Sequence, residues 1–148
     1  MKTFLKTILP LLLFVGVFSA CSEPDVWSKV PSRVSQFVQQ YWPGQDLSYV
    51  ANEKDGVCKL TIQNGPSLEF DAAGSWTSIK GGGSPLPSML IYDQLPDALY
   101  RYIEESEATN GVYALSRTAS AYDVTLLNSK VSYNISSGQI TYVTTPSN

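Results

Sequence analysis

The sequence of 148 residues contains no histidine, the residue that most often serves as a general base or as a zinc ligand. Its absence excludes Ser-His-Asp and Cys-His catalysis. The triple glycine at 81–83 is not followed by the Lys-Ser or Lys-Thr pair of a phosphate-binding loop, so we predict a flexible linker there. We therefore expect no enzyme activity, no catalytic residue, no bound metal and no cofactor.

Grouped carboxylates are also missing from the sequence pattern. Asp55 and Asp71 fall in separate predicted turns, and Asp71 is expected to cap its own turn. Glu104 and Glu105 lie at the end of a predicted helix and are expected to face water. Glycoside hydrolysis and calcium binding both need carboxylates that converge on one point, so neither activity is indicated.

Positive charge is scarce. Ten basic residues stand against 13 acidic ones, and two of the ten, Lys2 and Lys6, belong to an N-terminal segment that we expect to be removed. The remaining chain then carries a net charge of −5. Nucleic-acid binding requires clustered Lys and Arg to neutralise phosphates, so a nucleic-acid partner is not expected.

The N-terminus has the pattern of a secretion signal. Lys2 and Lys6 precede an apolar run at 8–18, which is too short to span a bilayer, and small residues lead to Cys21. This pattern resembles a bacterial lipoprotein signal, with residues 1–20 removed and Cys21 lipidated. An ordinary secretory signal with a chance cysteine is the alternative. Residues 21–29 are interpreted as a tether, whose acidic start resembles an export signal or is a solvated spacer. We expect a cell-envelope, outer-membrane lipoprotein that faces the periplasm or the surface.

The remaining chain contains two similar segments. Residues 30–83 and 95–148 are each predicted to form a helix and four antiparallel strands, with 84–94 as a short helical connection. The apolar helix positions Phe37 and Tyr102 lie 65 residues apart, as do Val38 and Ile103. A helix against one face of an antiparallel sheet makes the fold class α+β. The two units are expected to abut edge to edge or to stack around one core.

Two motifs carry a family resemblance. Val/Leu-Pro-x-x-Val/Leu-x-x-Phe/Tyr-Val/Ile begins at Val30 and again at Leu95, and Asn-Gly-x-x-Leu-x-Phe-Asp begins at Asn64. With Ser129 in place of the turn glycine, the second copy of the latter motif is degenerate. The chain resembles the PepSY-like family of β-lactamase-inhibitor-like lipoproteins over residues 30–143. The resemblance implies tandem helix-and-sheet repeats like those of the β-lactamase inhibitor protein.

Alternation in the strands predicts which side chains face away from the helices. If the apolar positions of the second strand, Cys58, Leu60 and Ile62, face the core, their neighbours face outward. Tyrosines on flanking strands add side chains that are typical of binding surfaces. The candidate partner-binding face consists of Tyr49, Lys59, Thr61, Glu69, Tyr113, Asp123, Thr125 and Tyr142.

Two residues in these strands are assigned to packing rather than to function. Trp76 is expected to be buried, because large aromatic side chains usually are. Cys58 is expected to be a small core hydrophobe, since no histidine exists to activate a thiol.

Two functions are compatible with these observations. The first is a lipid-anchored, non-catalytic envelope module that recognises a protein or peptide through its exposed sheet face. Its partner would be an unknown envelope protein or peptide, its membrane contact would be the lipid on Cys21, and the module would be a monomer. The alternative is an envelope sensor of a small molecule or cation, which would bind in the cleft between the repeats.

Overall fold

The computed structural model describes residues 25–106, 108, 109 and 111–145. The predicted signal peptide at 1–20, the predicted lipidation site Cys21 and the first residues of the tether lie outside this part of the chain. None of the described helices is long and apolar enough to cross a membrane.

In the described residues, three α-helices and eight strands follow a short 3-10 helix at Val26–Lys29. The first group is α1 (Ser32–Tyr41), β1 (Leu47–Asn52), β2 (Cys58–Ile62), β3 (Ser67–Phe70) and β4 (Trp76–Lys80). The connection contains α2 (Ser88–Gln94). The second group is α3 (Asp97–Glu105), β5 (Val112–Arg117), β6 (Ala121–Leu126), β7 (Ser129–Asn134) and β8 (Ile140–Thr144).

Each α-helix begins directly after a proline: Pro31, Pro87 or Pro96. Proline fixes φ near the helical value and lacks the N–H that the first turn of a helix leaves unpaired, so it favours these starts. The helix α1 ends at Tyr41 because Trp42 precedes Pro43, and a residue before proline disfavours the helical conformation.

The eight strands form one antiparallel sheet in sequence order, β1 to β8. The sequence pattern predicts two four-stranded units that abut edge to edge or stack, and the structure has the first arrangement, because β4 pairs with β5. Ser78, Ile79 and Lys80 stand opposite Ser116, Leu115 and Ala114. The two halves therefore meet edge to edge, and the fold is α+β with a single continuous sheet.

The helices cover one face of the sheet, and the hydrophobic core lies between the helices and that face. The helices contribute regularly spaced apolar residues, among them Val34 and Val38 from α1 and Leu99 and Ile103 from α3. The sheet contributes the alternate residues of each strand, such as Phe70, which is fully buried. Cys58 and Trp76 belong to the same core, as predicted, and burial raises the pKa of the Cys58 thiol.

Polar groups tie the connecting helix α2 to both α1 and the sheet. The Trp76 indole N–H donates to Gln94 Oε1 (2.9 Å), and Gln94 Nε2 donates to the Tyr41 hydroxyl oxygen (2.9 Å). The Tyr41 hydroxyl donates in turn to Asp93 Oδ2 (3.0 Å). Burial is the main cause that raises the pKa of Tyr41. These bonds satisfy polar groups at the core boundary, where an unpaired donor would be costly.

The turn between β3 and β4 has the predicted aspartate cap. Asp71 Oδ1 accepts hydrogen bonds from the backbone N–H groups of Ala73 and Ser75, both at 3.0 Å. Gly74 has φ of 79°, and a Cβ on it would meet Arg33 Cβ at 3.0 Å. Glycine is therefore required here both for its backbone conformation and for the close approach of α1.

Candidate binding face of the sheet

The strand register defines a second face of the sheet that the helices leave uncovered. Residues that stand opposite each other in neighbouring strands share a face, so two rows can be followed across all eight strands. One row contains Ala51, Lys59, Glu69, Ser78, Ser116, Asp123, Ser132 and Thr141. The other contains Tyr49, Thr61, Ser67, Lys80, Ala114, Thr125, Lys130 and Val143. We call these 16 residues the open face.

The open face is made mainly of short side chains. Seven of its residues are Ser or Thr and two are Ala, whereas only Tyr49 is aromatic. None of the 16 is fully buried. Short hydroxyl side chains allow another backbone to approach closely, and each offers both a donor and an acceptor.

Five residues of the open face are charged, and both signs occur. Lys59 Nζ lies 2.7 Å from Glu53 Oε1, and this partner is the first cause of the raised pKa of Lys59. Asp123 accepts a hydrogen bond from the Ser132 hydroxyl, and its other oxygen lies 3.4 Å from Lys130 Nζ. The face therefore offers paired charges rather than a field of one sign.

A shallow hollow of about 200 Å³ lies on the half of the open face formed by β1 to β4. Tyr49, Lys59, Thr61, Glu69 and Lys80 are among the residues that line it. Pockets that enclose a whole small molecule measure about 300–1,000 Å³. A hollow of this size suits one side chain of a larger partner better than a complete small-molecule ligand.

Six of the eight predicted residues lie on the open face: Tyr49, Lys59, Thr61, Glu69, Asp123 and Thr125. Tyr49 is 53% exposed and stands opposite Thr61. Tyr113 lies in an irregularity of the register between Val112 and Ala114, half-buried, and has no partner in either row.

The prediction was wrong for Tyr142, which lies on the other face. It stands opposite the buried Val131, on the helix side of the sheet, where it is 52% exposed. Sequence reasoning also left out the middle of the open face, Ser78 and Ser116. Their alternation with the buried Ile79 and Leu115 is the signal that identifies them.

The predicted cleft between the two halves is largely closed by the pairing of β4 with β5. Beyond the paired residues, a hollow of about 390 Å³ is lined by Asp71, Ser75, Thr77, Arg117, Thr118 and Ala119. The Arg117 guanidinium lies 4.5 Å from the centre of the Trp76 ring, and its Nε donates to the Trp76 carbonyl oxygen (2.9 Å). One carboxylate oxygen of Asp71 and the Nε of Arg117 are thus already engaged by the protein.

Metal coordination finds no support in the part of the chain that the structure describes. Within residues 25–106, 108–109 and 111–145, no three Asp, Glu or Cys side chains lie close enough together to hold an ion.

Comparison with known proteins identifies a family and a fold. Residues 56–140 match the model of a family described as β-lactamase-inhibitor-like and PepSY-like. This match confirms the resemblance that the sequence motifs indicate. No curated protein shows significant sequence similarity to the chain.

Three solved structures of Bacteroides proteins share the fold. A protein of B. vulgatus, described as periplasmic and of unknown function, is 21% identical with a TM-score of 0.64, covering 79% of this chain and 94% of its own. A second B. vulgatus protein, described as periplasmic, is 19% identical with a TM-score of 0.64, covering 77% and 89%. A B. thetaiotaomicron protein, described as calcium-regulated and periplasmic, is 20% identical with a TM-score of 0.65, covering 78% and 91%.

Proposed function

The chain belongs to the PepSY-like, β-lactamase-inhibitor-like family, and we propose that it is a non-catalytic module of the cell envelope that binds a protein or peptide through its open face. The observation that carries the proposal is the uncovered face itself, which crosses all eight strands in two unbroken rows. The description of its structural relatives as periplasmic supports an envelope location. The proposal does not extend to the inhibition of a β-lactamase, because a shared fold does not transfer function.

The chemistry of the open face favours a macromolecular partner over a solvated surface with no role. An antiparallel sheet can simply leave one face in water, and such a face carries polar side chains that alternate with the buried apolar ones. Here the central strands β4 and β5 present the short residues Ser78, Ala114 and Ser116 beside the exposed Lys80, and the exposed Tyr49 lies beside the hollow. The exposed Tyr49 supplies one aromatic anchor of the kind that carries interface energy, and the polar side chains around it resemble the rim of an interface rather than its core.

We extend the proposal to the organisation of the chain. Residues 30–83 and 95–148 are two copies of one helix-and-four-strand unit, joined by 84–94. The equal order of elements in the two halves supports it, as does the spacing of 65 residues between Pro31 and Pro96, which precede α1 and α3.

The lipid anchor is part of the proposal and has a test of its own. If residues 1–20 are removed and Cys21 is lipidated, Cys21→Ala moves the protein from the membrane fraction to the soluble fraction of the envelope. Cys58→Ala is the matched control, since Cys58 is buried and its substitution leaves the protein with the membrane. Membrane association that survives Cys21→Ala would contradict the anchor.

Site-specific photo-crosslinking in intact cells tests the binding face. A photoreactive residue at Ser78, near the middle of the open face, is expected to trap a discrete adduct of higher mass. The same residue at Gln36, which is exposed on α1, is the control and is expected to trap none. Equal adducts at both positions, or no adduct at Ser78, would contradict the proposal.

The alternative of a small-molecule or cation sensor has weaker support. The hollow beside Asp71 and Arg117 is the remnant of the predicted cleft, but the Asp71 carboxylate already accepts two backbone hydrogen bonds. The relative described as calcium-regulated shares only 20% identity. That similarity shows a common fold and carries no information about a ligand of this chain.

A further inference from the structure

We propose that β8 pairs with β8 of a second copy of this chain, which extends the sheet across a two-fold axis. The sheet has two edge strands, β1 and β8. An edge strand presents unpaired N–H and C=O groups and invites another strand unless the protein protects it. The two edges of this sheet differ sharply in that protection.

The β1 edge is protected in several ways. The register between β1 and β2 is interrupted between Leu47 and Tyr49, which bends the strand. The 3-10 helix at Val26–Lys29 contacts β1 near the end of the strand, on the helix side of the sheet, where the Asn52 side chain donates to the Lys29 carbonyl oxygen (2.8 Å). Bulges and covering segments are the devices by which proteins prevent pairing at an edge.

The β8 edge has none of these devices within the described part of the chain. Its register with β7 is regular over five residue pairs, from Ser129 opposite Thr144 to Tyr133 opposite Ile140. No charged side chain occurs among the 18 residues from Val131 to Asn148. The strand sequence Ile-Thr-Tyr-Val-Thr consists entirely of β-branched and aromatic residues, which favour strand pairing.

The hydrogen bonds between β7 and β8 show which backbone groups of β8 point outward. The Asn134 N–H donates to the Gln139 carbonyl oxygen (2.9 Å), and the Thr145 N–H donates to the Asn128 carbonyl oxygen (3.0 Å). Because hydrogen-bonded pairs alternate along an antiparallel ladder, the odd-numbered residues of β8 bond to β7. The N–H and C=O groups of Ile140, Tyr142 and Thr144 therefore point to the free edge.

A second copy fits this edge because the edge is complementary to itself. Antiparallel pairing centred on Tyr142 places the three outward residues of one copy opposite those of the other, so that every outward N–H meets a C=O. The side-chain pairs across the axis are Tyr142 with Tyr142, Thr141 with Val143, and Ile140 with Thr144. Aromatic and β-branched pairs of this kind stabilise neighbouring strands, and no charges repel.

Exposed apolar side chains are concentrated in the same region. Eight large hydrophobic residues are strongly exposed in the described chain, and half of them lie on β8 or in the turns that flank β7: Leu127, Ile135, Tyr142 and Val143. Tyr142 and Val143 lie on opposite faces of β8, with 52% and 54% of their surface exposed. Pairing with a second copy would shield apolar surface on both faces of the sheet.

Disulfide trapping in the envelope of intact cells tests this pairing and its register. Tyr142→Cys places two thiols opposite each other across the axis, and a disulfide-linked dimer is expected on a non-reducing gel. In Val143→Cys each thiol stands opposite Thr141 instead, so at least about tenfold less dimer is expected, because Cα atoms more than 7 Å apart cannot be bridged. No dimer, equal dimer from both variants, or linkage to a different protein would overturn the proposal.

Sedimentation of the protein purified from the envelope gives an independent measurement. Tyr142→Pro removes an outward N–H and leaves the β7 ladder intact, so it is expected to shift a wild-type dimer to monomer without unfolding. Val143→Lys places a charge on the edge and is expected to do the same. A wild-type protein that is monomeric at every concentration, or variants that remain dimeric, would contradict the pairing. The sequence alone predicts a monomer, so a dimer would distinguish the two accounts.

Discussion

The two faces of the sheet come from the same eight strands and differ in almost every physical property. The helix face is apolar and sealed: Phe70, Ile79 and Val124 are each fully buried. The open face consists mainly of short hydroxyl and alanine side chains with five charged residues among them, and none of its residues is fully buried. Neighbouring residues of one strand therefore have different surroundings: one is part of the core, and the next is accessible to solvent and belongs to the face that we propose for binding. Substitutions on the helix face are therefore expected to lower stability much more than substitutions on the open face.

The largest effect on stability is expected from the centre of the helix face. Phe70→Ala removes a fully buried ring that packs edge-on against Phe37, with ring centroids 5.4 Å apart. A loss of about 3–5 kcal/mol in the free energy of unfolding is expected from lost burial and the resulting cavity. Chemical denaturation measures it. A loss no greater than that of an open-face substitution would contradict the stated difference between the two faces of the sheet.

A smaller loss is expected where polar groups join the helices to the sheet. Gln94→Ala leaves the buried indole N–H of Trp76 without its acceptor and removes a donor to Tyr41. An unpaired buried donor costs about 1–3 kcal/mol, and denaturation should show a loss in that range. Gln36→Ala is the matched control, because Gln36 is exposed on α1. Equal stability of the two variants would show that this network contributes nothing.

Open-face substitutions are expected to change stability little. Thr61→Arg places a long charged side chain at the hollow, where it has access to solvent. The free energy of unfolding should change by less than about 0.5 kcal/mol, as is usual for surface substitutions. A loss comparable to that of Phe70→Ala would mean that the open face is part of the folded core.

The smallest effect is expected from the ion pair on the open face. Lys59→Gln removes the contact with Glu53. Both side chains of this ion pair are exposed, so solvent screens the attraction between their charges. The pKa of Lys59 is raised in the folded protein, so any contribution is fully present below the unfolded-state value of about 10.4 and is lost as the pH rises above it through the raised pKa of the folded state. Thermal unfolding of both forms at pH 7 and pH 11 measures it. A difference that grows at pH 11 would contradict this assignment.

Much of the fold follows from local sequence signals. Prolines before each helix, the apolar spacing of α1 and α3, and the turn chemistry of Asp71 and Gly74 all predict what the structure shows. The outward positions Lys59 and Glu69 follow from alternation in strands whose other residues are clearly apolar. These elements are predictable because the sequence signals at each of them favour one secondary structure over the others.

Other features depend on long-range pairing that local patterns do not encode. The sequence of β8 does not predict the face on which Tyr142 lies, because apolar residues of Ile-Thr-Tyr-Val-Thr occur on both faces of the strand. The irregularity at Tyr113 resets the alternation within β5. The joining of β4 to β5 into one sheet depends on backbone groups that every residue carries, so side-chain identity does not specify it.

Capture of a partner from envelope extract tests the central claim most directly, provided that matched variants are compared. Wild type and Gln36→Arg, with the new charge on α1, are expected to retain the same partner protein. Thr61→Arg is expected to lose that protein while it remains folded, because its new side chain occupies the hollow on the open face. Undiminished capture by folded Thr61→Arg, or equal loss with Gln36→Arg, would contradict binding through the open face.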